Sequence, residues 1–207
     1  MSGWVIWGSA LALYVLFRLW YDNWRGPLTK AEIDAFFDKV QGKYSGGNDP
    51  AVLRRFLEED DGKEFVMLNL VKIEEGMVAH PETGEEVPGR TMMRRYTDPF
   101  TKALFLRGGH PGMVGAKVGP YIDAWNVAGD PGWTLFGLMR YRSRRDLVAM
   151  ASDPFFREAH PYKLLGIPTT FSFPTQRRVS IYMGPRVWVA LVLALIAALV
   201  QLAMLTT

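Results

Sequence analysis

Three histidines are the side chains of this 207-residue chain best suited to moving protons near neutral pH. His80 lies in an acidic loop before Pro81, where it is expected to be solvated. His110 follows Gly108 and Gly109 at the mouth of an expected strand. Glycines there allow a tight turn, so His110 either bonds to the turn backbone or reaches a pocket from its rim. His160 stands beside Pro161 at the expected end of a helix, where a cation favours the C-terminal dipole. The three share no spacing, and no HxxxH or HxxE pattern occurs, so no metal site is expected. The absence of cysteine removes thiolate nucleophiles, disulfides and iron–sulfur clusters. No nucleophile elbow, P-loop or dinucleotide fingerprint is present, and no cofactor is expected. GGHPGMVG is glycine-rich, but it follows a helix and precedes a strand, the reverse of the phosphate-binding order.

Three further side chains could act on a ligand. Asn69 interrupts an apolar strand with an amide that must find hydrogen bonds once buried. By alternation it shares a face with Met67 and Val71, so it either bonds to a neighbouring strand or faces a ligand. Arg140 shares a face with Thr134, Phe136 and Leu138 near the end of another strand. Its guanidinium could grip a ligand carboxylate or carbonyl, or pair with a surface Asp or Glu. Tyr96, on a helix, is an amphipathic group suited to a half-polar pocket or to plain packing, and Tyr141 is similar.

The elements that must position these residues follow from periodicity. Thr29 and Glu32 make a capping box for a helix through about Val40, with Ile33, Phe36, Phe37 and Val40 on one stripe. QGKYSGGND is a loop, and Asp49 before Pro50 opens a second short helix. These helices form a juxtamembrane segment over residues 22–62, whose apolar stripes must be buried on the domain or on the membrane surface. A domain is expected over residues 63–178. Within it, Glu64 to Ile73 is a buried strand, HPETGEEVPG a turn-rich loop, and Arg90 to Leu106 a helix that Pro99 should kink or restart. Met113 to Val118 is a strand that Tyr121 to Val127 continues or pairs with, and Trp133 to Tyr141 is a strong strand. Ser143 and Asp146 start a helix that restarts at Asp153-Pro154, and Pro168 to Phe173 is the last strand. The order is β-α-β-β-α-β, a ferredoxin-like α+β arrangement in which helices cover one sheet face. The other face stays open and apolar, which favours pairing with a second copy.

Of 24 Lys and Arg, only Arg18 lies outside residues 22–186, and all 21 Asp and Glu lie inside. The slight basic excess of +3 comes with no nucleic-acid motif, so no nucleic-acid partner is expected. Val187 to Met204 carries one polar residue, Gln201, and no charge. Extended to Thr206 it reaches about 30 Å, the thickness of a bilayer core. Gly3 to Tyr21 is shorter, with Arg18 able to extend to the headgroups and Trp4, Trp7, Trp20, Tyr21 and Trp24 clustered toward its edges. It lacks the leading basic residue and the cleavage site of a signal peptide. Transmembrane helices are therefore expected over residues 1–21 and 186–206, with the lipid bilayer as partner. Arg18, Arg25, Lys30, Arg177, Arg178 and Arg186 flank them on the domain side, which puts the domain in the cytoplasm and both termini across the inner membrane.

Three stretches resemble the dimeric α/β-barrel superfamily, and within it one of the small domain-of-unknown-function families. They are MLNLVKI, the RRY…LRGGHPGMVG passage, and LMRYRSRRDLVAMASDPFFREA, spread over residues 63–175. The terminal anchors and residues 22–62 depart from the pattern, since a typical member is small and soluble. The resemblance implies a homodimer whose two open sheet faces close into a barrel, with a pocket in each protomer between sheet and helices. It implies no single chemistry, because superfamily members include cofactor-free monooxygenases, isomerases, lactone-forming enzymes and haem proteins.

Two functions fit. One is a tethered barrel that binds, and could transform, a lipid-soluble molecule such as a quinone, terpenoid or aromatic through Asn69, Tyr96, His110 and Arg140. The other is an accessory or scaffolding subunit of a membrane complex, with Gln201 and Ala190, Ala194, Ala197 and Ala198 letting the last helix pack closely against neighbours. An enclosed cavity of several hundred Å³ holding those four side chains would favour the first, and a barrel filled by Phe, Met and Leu the second.

Overall fold

The computed structural model describes residues 3–40, 49–179 and 183–206. The expected loop over residues 41–49 lies, apart from Asp49, outside them. In chain order the elements are α1 (Gly3–Tyr21), α2 (Lys30–Val40), α3 (Pro50–Glu58), β1 (Phe65–Lys72), β2 (Met77–Ala79) and β3 (Glu86–Pro88). Then come α4 (Gly89–Leu106), β4 (His110–Ala116), β5 (Leu135–Tyr141), α5 (Arg144–Ala151), α6 (Pro154–Glu158), α7 (His160–Gly166), β6 (Thr169–Thr175) and α8 (Pro185–Thr206). They form two compact units, one of residues 1–24 with 177–207, the other of residues 25–176.

The first unit is an antiparallel helical hairpin of α1 and α8, the two helices long and apolar enough to cross a membrane. Polar groups tie it at both ends. At one end Trp7 donates its indole N–H to Gln201 Oε1 at 2.6 Å. At the other, Tyr14 donates to the Arg186 carbonyl at 3.0 Å, and Asp22 accepts from both Arg18 and Arg186. Between these ends the outward surface is Leu, Val and Ile, which suits hydrocarbon.

The second unit is α+β. Its four-stranded antiparallel sheet has the order β4-β5-β1-β6, with Asn69 opposite Gly137 on one side and Ser172 on the other. Phe65 of β1 and Tyr141 of β5 are opposite in register, and their rings stack at 5.0 Å under α4 and α5. A second cluster joins Val71, Tyr96, Ala159 and Ile167. Alternation then places Phe65, Met67, Asn69 and Val71 on the helix-covered side, and Val66, Leu68 and Leu70 on the other.

Capping chemistry sets the helix starts. Thr29 and Glu32 exchange the two bonds of a capping box, Thr29 N–H to Glu32 Oε2 at 2.8 Å and Glu32 N–H to Thr29 Oγ1 at 3.3 Å. Asp49, Ser143 and Asp153 accept from Ala51, Asp146 and Phe155 to open α3, α5 and α6. The stripe of α2 and α3 is buried on the domain, with Ile33, Phe36, Val40 and Leu57 packed against Val148 and Ala151 of α5.

Arg145 fastens this layer. It donates to both oxygens of Glu32 at 2.9 and 3.0 Å, and to the carbonyls of Gly26 and Pro27. The guanidinium holds the Glu32 carboxyl down at about 2, from an ordinary value of 4.5. A depressed carboxyl stabilises the fold above its unfolded pKa, and that stabilisation is lost as pH falls from 4.5 toward 2. Thermal melts of Glu32→Gln should therefore lie below the parent at pH 7 and converge on it near pH 2.

Four local expectations change. The HPETGEEVPG stretch carries a β-hairpin, with β2 and β3 paired from Met77–Pro88 to Ala79–Glu86. Helix α4 runs unbroken through Pro99, because Met92 and Tyr96 before it and Ala103 and Leu104 after it are all buried on one side. Residues 121–127 form no strand: Gly119-Pro120 ends the ladder, and Asp130 fixes the return turn by accepting from Gly132 and Trp133 at 2.9 and 3.1 Å. His160 starts α7 rather than ending a helix, so a cation there opposes the dipole.

Candidate functional site

The four candidate residues divide between two sides of the sheet. Asn69 sits half-buried on the helix-covered side, where Nδ2 donates to the carbonyls of Met67 at 3.1 Å and Gly137 at 3.3 Å. The strand backbone thus takes up its amide, the structural outcome open to it from the sequence. Tyr96 points from α4 to the same side, its ring stacked 5.8 Å from Phe100 and tilted against Phe156 at 6.0 Å. Burial pushes its phenol well above the ordinary range, so it stays protonated.

Arg140 faces the other way. It neighbours Tyr141, which is buried under the helices, and in register it lies opposite His110 and Val66. Its side chain is nonetheless only 6% exposed. Nε and Nη2 donate to Glu64 Oε2 at 3.1 and 2.7 Å, and Nη1 donates to the Gly108 carbonyl. Gly108 has φ +70°, a conformation that favours glycine. The Gly108-Gly109 pair is therefore a packing turn: a Cβ on Gly109 would lie 2.7 Å from the Arg140 carbonyl oxygen. His110 Nδ1 lies 2.9 Å from the Pro111 carbonyl, which assigns its proton to Nδ1.

The other two histidines differ from expectation. His80 is only 6% exposed. Its Nδ1 faces the backbone N–H groups of Glu82 and Thr83, and its Nε2 lies 2.7 Å from Arg95. The hairpin loop folds back on α4 and α7, and Tyr162 closes over it by donating to Glu82 at 2.8 Å. Sequence position in an acidic loop could not show this docking. His160 is held below the ordinary histidine range, first by burial and then by the charge of Lys163.

A shallow surface cleft, without enclosed space for a ligand, lies against Leu104, Arg107, Tyr141 and Asp146, and none of the four candidates lines it. Its charges are internally paired, Arg107 with Asp153 at 2.7 Å and Arg142 with Asp146 at 2.5 Å. Among the described residues no three His, Asp or Glu side chains converge as a metal site would require.

One residue was not singled out by the sequence reading. Lys163 of α7 lies four residues from both Ala159 and Ile167, the buried positions that pack on Val71 and Tyr96. Its Nζ stands 5.6 Å from the Tyr96 ring centroid. The legible signal was a lysine on an apolar stripe, at four-residue spacing in AHPYKLLGI.

No protein-family model and no curated protein matches the chain. Solved structures do. A protein of unknown function from Rhodopseudomonas palustris, RPA0582, is 20% identical with a TM-score of 0.53, over 64% of this chain and 96% of that one. The methylated form of RPA0582 gives 20% identity and a TM-score of 0.54, over 65% and 96%. An Arabidopsis thaliana protein, At3g17210, matches at 13% identity and a TM-score of 0.35, over 57% and 99%. The likeness to RPA0582 is one of fold.

Proposed function

We propose that this chain is a membrane-anchored ferredoxin-like domain that pairs with a second copy through its open sheet face, and serves as an accessory or scaffolding subunit of a membrane complex. The strand order β4-β5-β1-β6, with α4 between β1 and β4 and α5 to α7 between β5 and β6, supports the split βαβ reading. The six cations flanking the apolar helices support a cytoplasmic domain with both termini across the membrane.

The observation that carries the proposal is the helix-free side of the sheet. Register brings Leu68 beside Leu138 and Phe173, and Leu70 beside Phe136 and Phe171, in one apolar surface. Phe171 is 51%, Phe173 41% and Met113 45% exposed. An apolar face of this kind calls for cover, and one patch on two copies related by a two-fold axis covers itself. The tethered-enzyme reading needs Asn69, Tyr96, His110 and Arg140 around one space. They lie on two sides of a sheet, with Arg140 engaged by Glu64 and Gly108.

Native mass spectrometry in mild detergent tests the pairing. The parent should fly as two chains, and Phe173→Asp as one, while both stay in the membrane fraction before extraction. A single-chain parent, or a variant that remains paired, would refute it.

A further inference from the structure

The connection between β4 and β5, residues 117–133, is pinned at its base and turned outward at its tip. Lys117 pairs with Asp130, whose carboxylate also accepts from the backbone N–H groups of Gly132 and Trp133. The Trp133 indole donates to the Tyr121 hydroxyl at 2.8 Å. The Lys117 N–H donates to the Thr134 carbonyl, and the Thr134 N–H to that of Val71, both at 2.9 Å. Beyond these bonds Val118 is 99%, Ile122 92%, Trp125 73% and Val127 66% exposed. Polar groups thus hold the loop while its large apolar groups stand in solvent, the reverse of an ordinary surface loop. A loop fixed in this way gives up little conformational entropy when it meets a partner.

Two observations bear on what covers it. The first is its place on the sheet. The loop's base is at Ala116 and Leu135, beside Val71. The chain leaves toward its apolar helices at the other end, where Thr175 stands opposite Val66, Gln176 bonds to Asp61 at 2.7 Å and the Leu28 N–H to Asp60 at 2.8 Å. The length of β1, about 23 Å at roughly 3.3 Å per residue, separates the two ends, which argues against lipid as the cover. The second is area. Four strands about 4.8 Å apart present a footprint of roughly 19 by 23 Å, on the order of 400 Å². A stable pair buries about 800 Å² on each partner. The loop continues directly from β4, whose Met113 lies opposite Leu138 on the open face, so it extends that apolar surface beyond the sheet.

We infer that residues 118–127 form an arm that closes on the second copy of this chain, with Ile122 and Trp125 buried against it. The inference rests on the pairing proposal and names the part of the surface that makes the pair stable. Two copies anchored in one membrane are related by an axis along the bilayer normal, so both arms lie at the same far end of their sheets. Tryptophan is among the residues that most often carry the binding energy of an interface.

The test places the photo-reactive residue p-benzoylphenylalanine at Trp125 of the full-length chain in intact membranes. In parallel, Leu68→Cys with a short bismaleimide reports the sheet-face contact alone. Irradiation should give a product of twice the chain mass in which the probe is joined to a peptide of this chain. In mild detergent, Trp125→Ser should weaken pairing about thirtyfold, the ordinary effect of removing a buried interface tryptophan. A Leu68→Cys product with none from Trp125 would overturn the arm and leave the pairing standing, whereas neither product would overturn both. A probe joined to lipid or to another protein, or unchanged affinity in Trp125→Ser, would also overturn the arm.

Discussion

Arg140→Met is expected to be among the most destabilising single changes in the domain, costing about 3 kcal/mol of unfolding free energy. The guanidinium is almost wholly buried, and one side chain serves two acceptors, Glu64 and the carbonyl of Gly108. Removing it takes the guanidinium from the Glu64 carboxylate and a donor from a turn carbonyl together. Glu64 keeps some access to water, its side chain being 24% exposed, so the low end of the cost for an orphaned buried charge applies. Arg140→Lys keeps the charge but loses the fork, and should recover only part of the loss. Glu64→Gln in the Arg140→Met background should cost much less than in the parent, because the guanidinium that the carboxylate engages is already gone. Chemical denaturation of the four proteins gives the coupling. Additive costs would mean that the pair does not act as a unit.

Gly166→Ala is expected to cost about as much, roughly 3 kcal/mol, through overpacking. The new methyl group would lie 2.3 Å from Met93 N and 2.7 Å from its Cα, and backbone cannot swing aside as a flexible side chain can. Helices α4 and α7 would have to part, loosening Tyr96, Ile167 and the Lys163 amine together. Gly119→Ala is the control, since nothing lies within 4 Å of the added atom. The two melting temperatures separate a close crossing from a general loss of chain flexibility. Equal melts would show that the helices do not approach as described.

Much of this architecture can be read from residue types. Capping pairs at Thr29–Glu32, Asp49–Pro50, Ser143–Asp146 and Asp153–Pro154 mark helix starts because their bonds are local. The apolar runs at both ends mark helices long enough to cross a membrane because composition alone decides that. What stayed hidden depends on contacts far apart in sequence. His80 is buried because a hairpin docks on Arg95 and Tyr162, 15 and 82 positions along the chain, which no local pattern encodes. Pro99 leaves α4 unbroken because burial on both sides outweighs one missing bond. The candidate site was the least legible part. Asn69 and Arg140 were each expected to face either a structural partner or a ligand, and strand parity with the Glu64 contact shows the structural partners. Lys163 escaped notice because a lysine in a helix usually faces water.

Cross-linking in intact membranes bears most directly on an anchored domain that pairs through its open sheet face. The chain has no cysteine, so one placed by Leu68→Cys is unique, and two sheets packed face to face stand about 10 Å apart, within reach of a short bismaleimide. The expected result is a product of twice the chain mass in the alkali-washed membrane pellet, absent when the cysteine is placed on the exposed helix surface by Lys102→Cys. Single chains from Leu68→Cys, despite full labelling by a monofunctional maleimide, or a chain released to the supernatant, would contradict it.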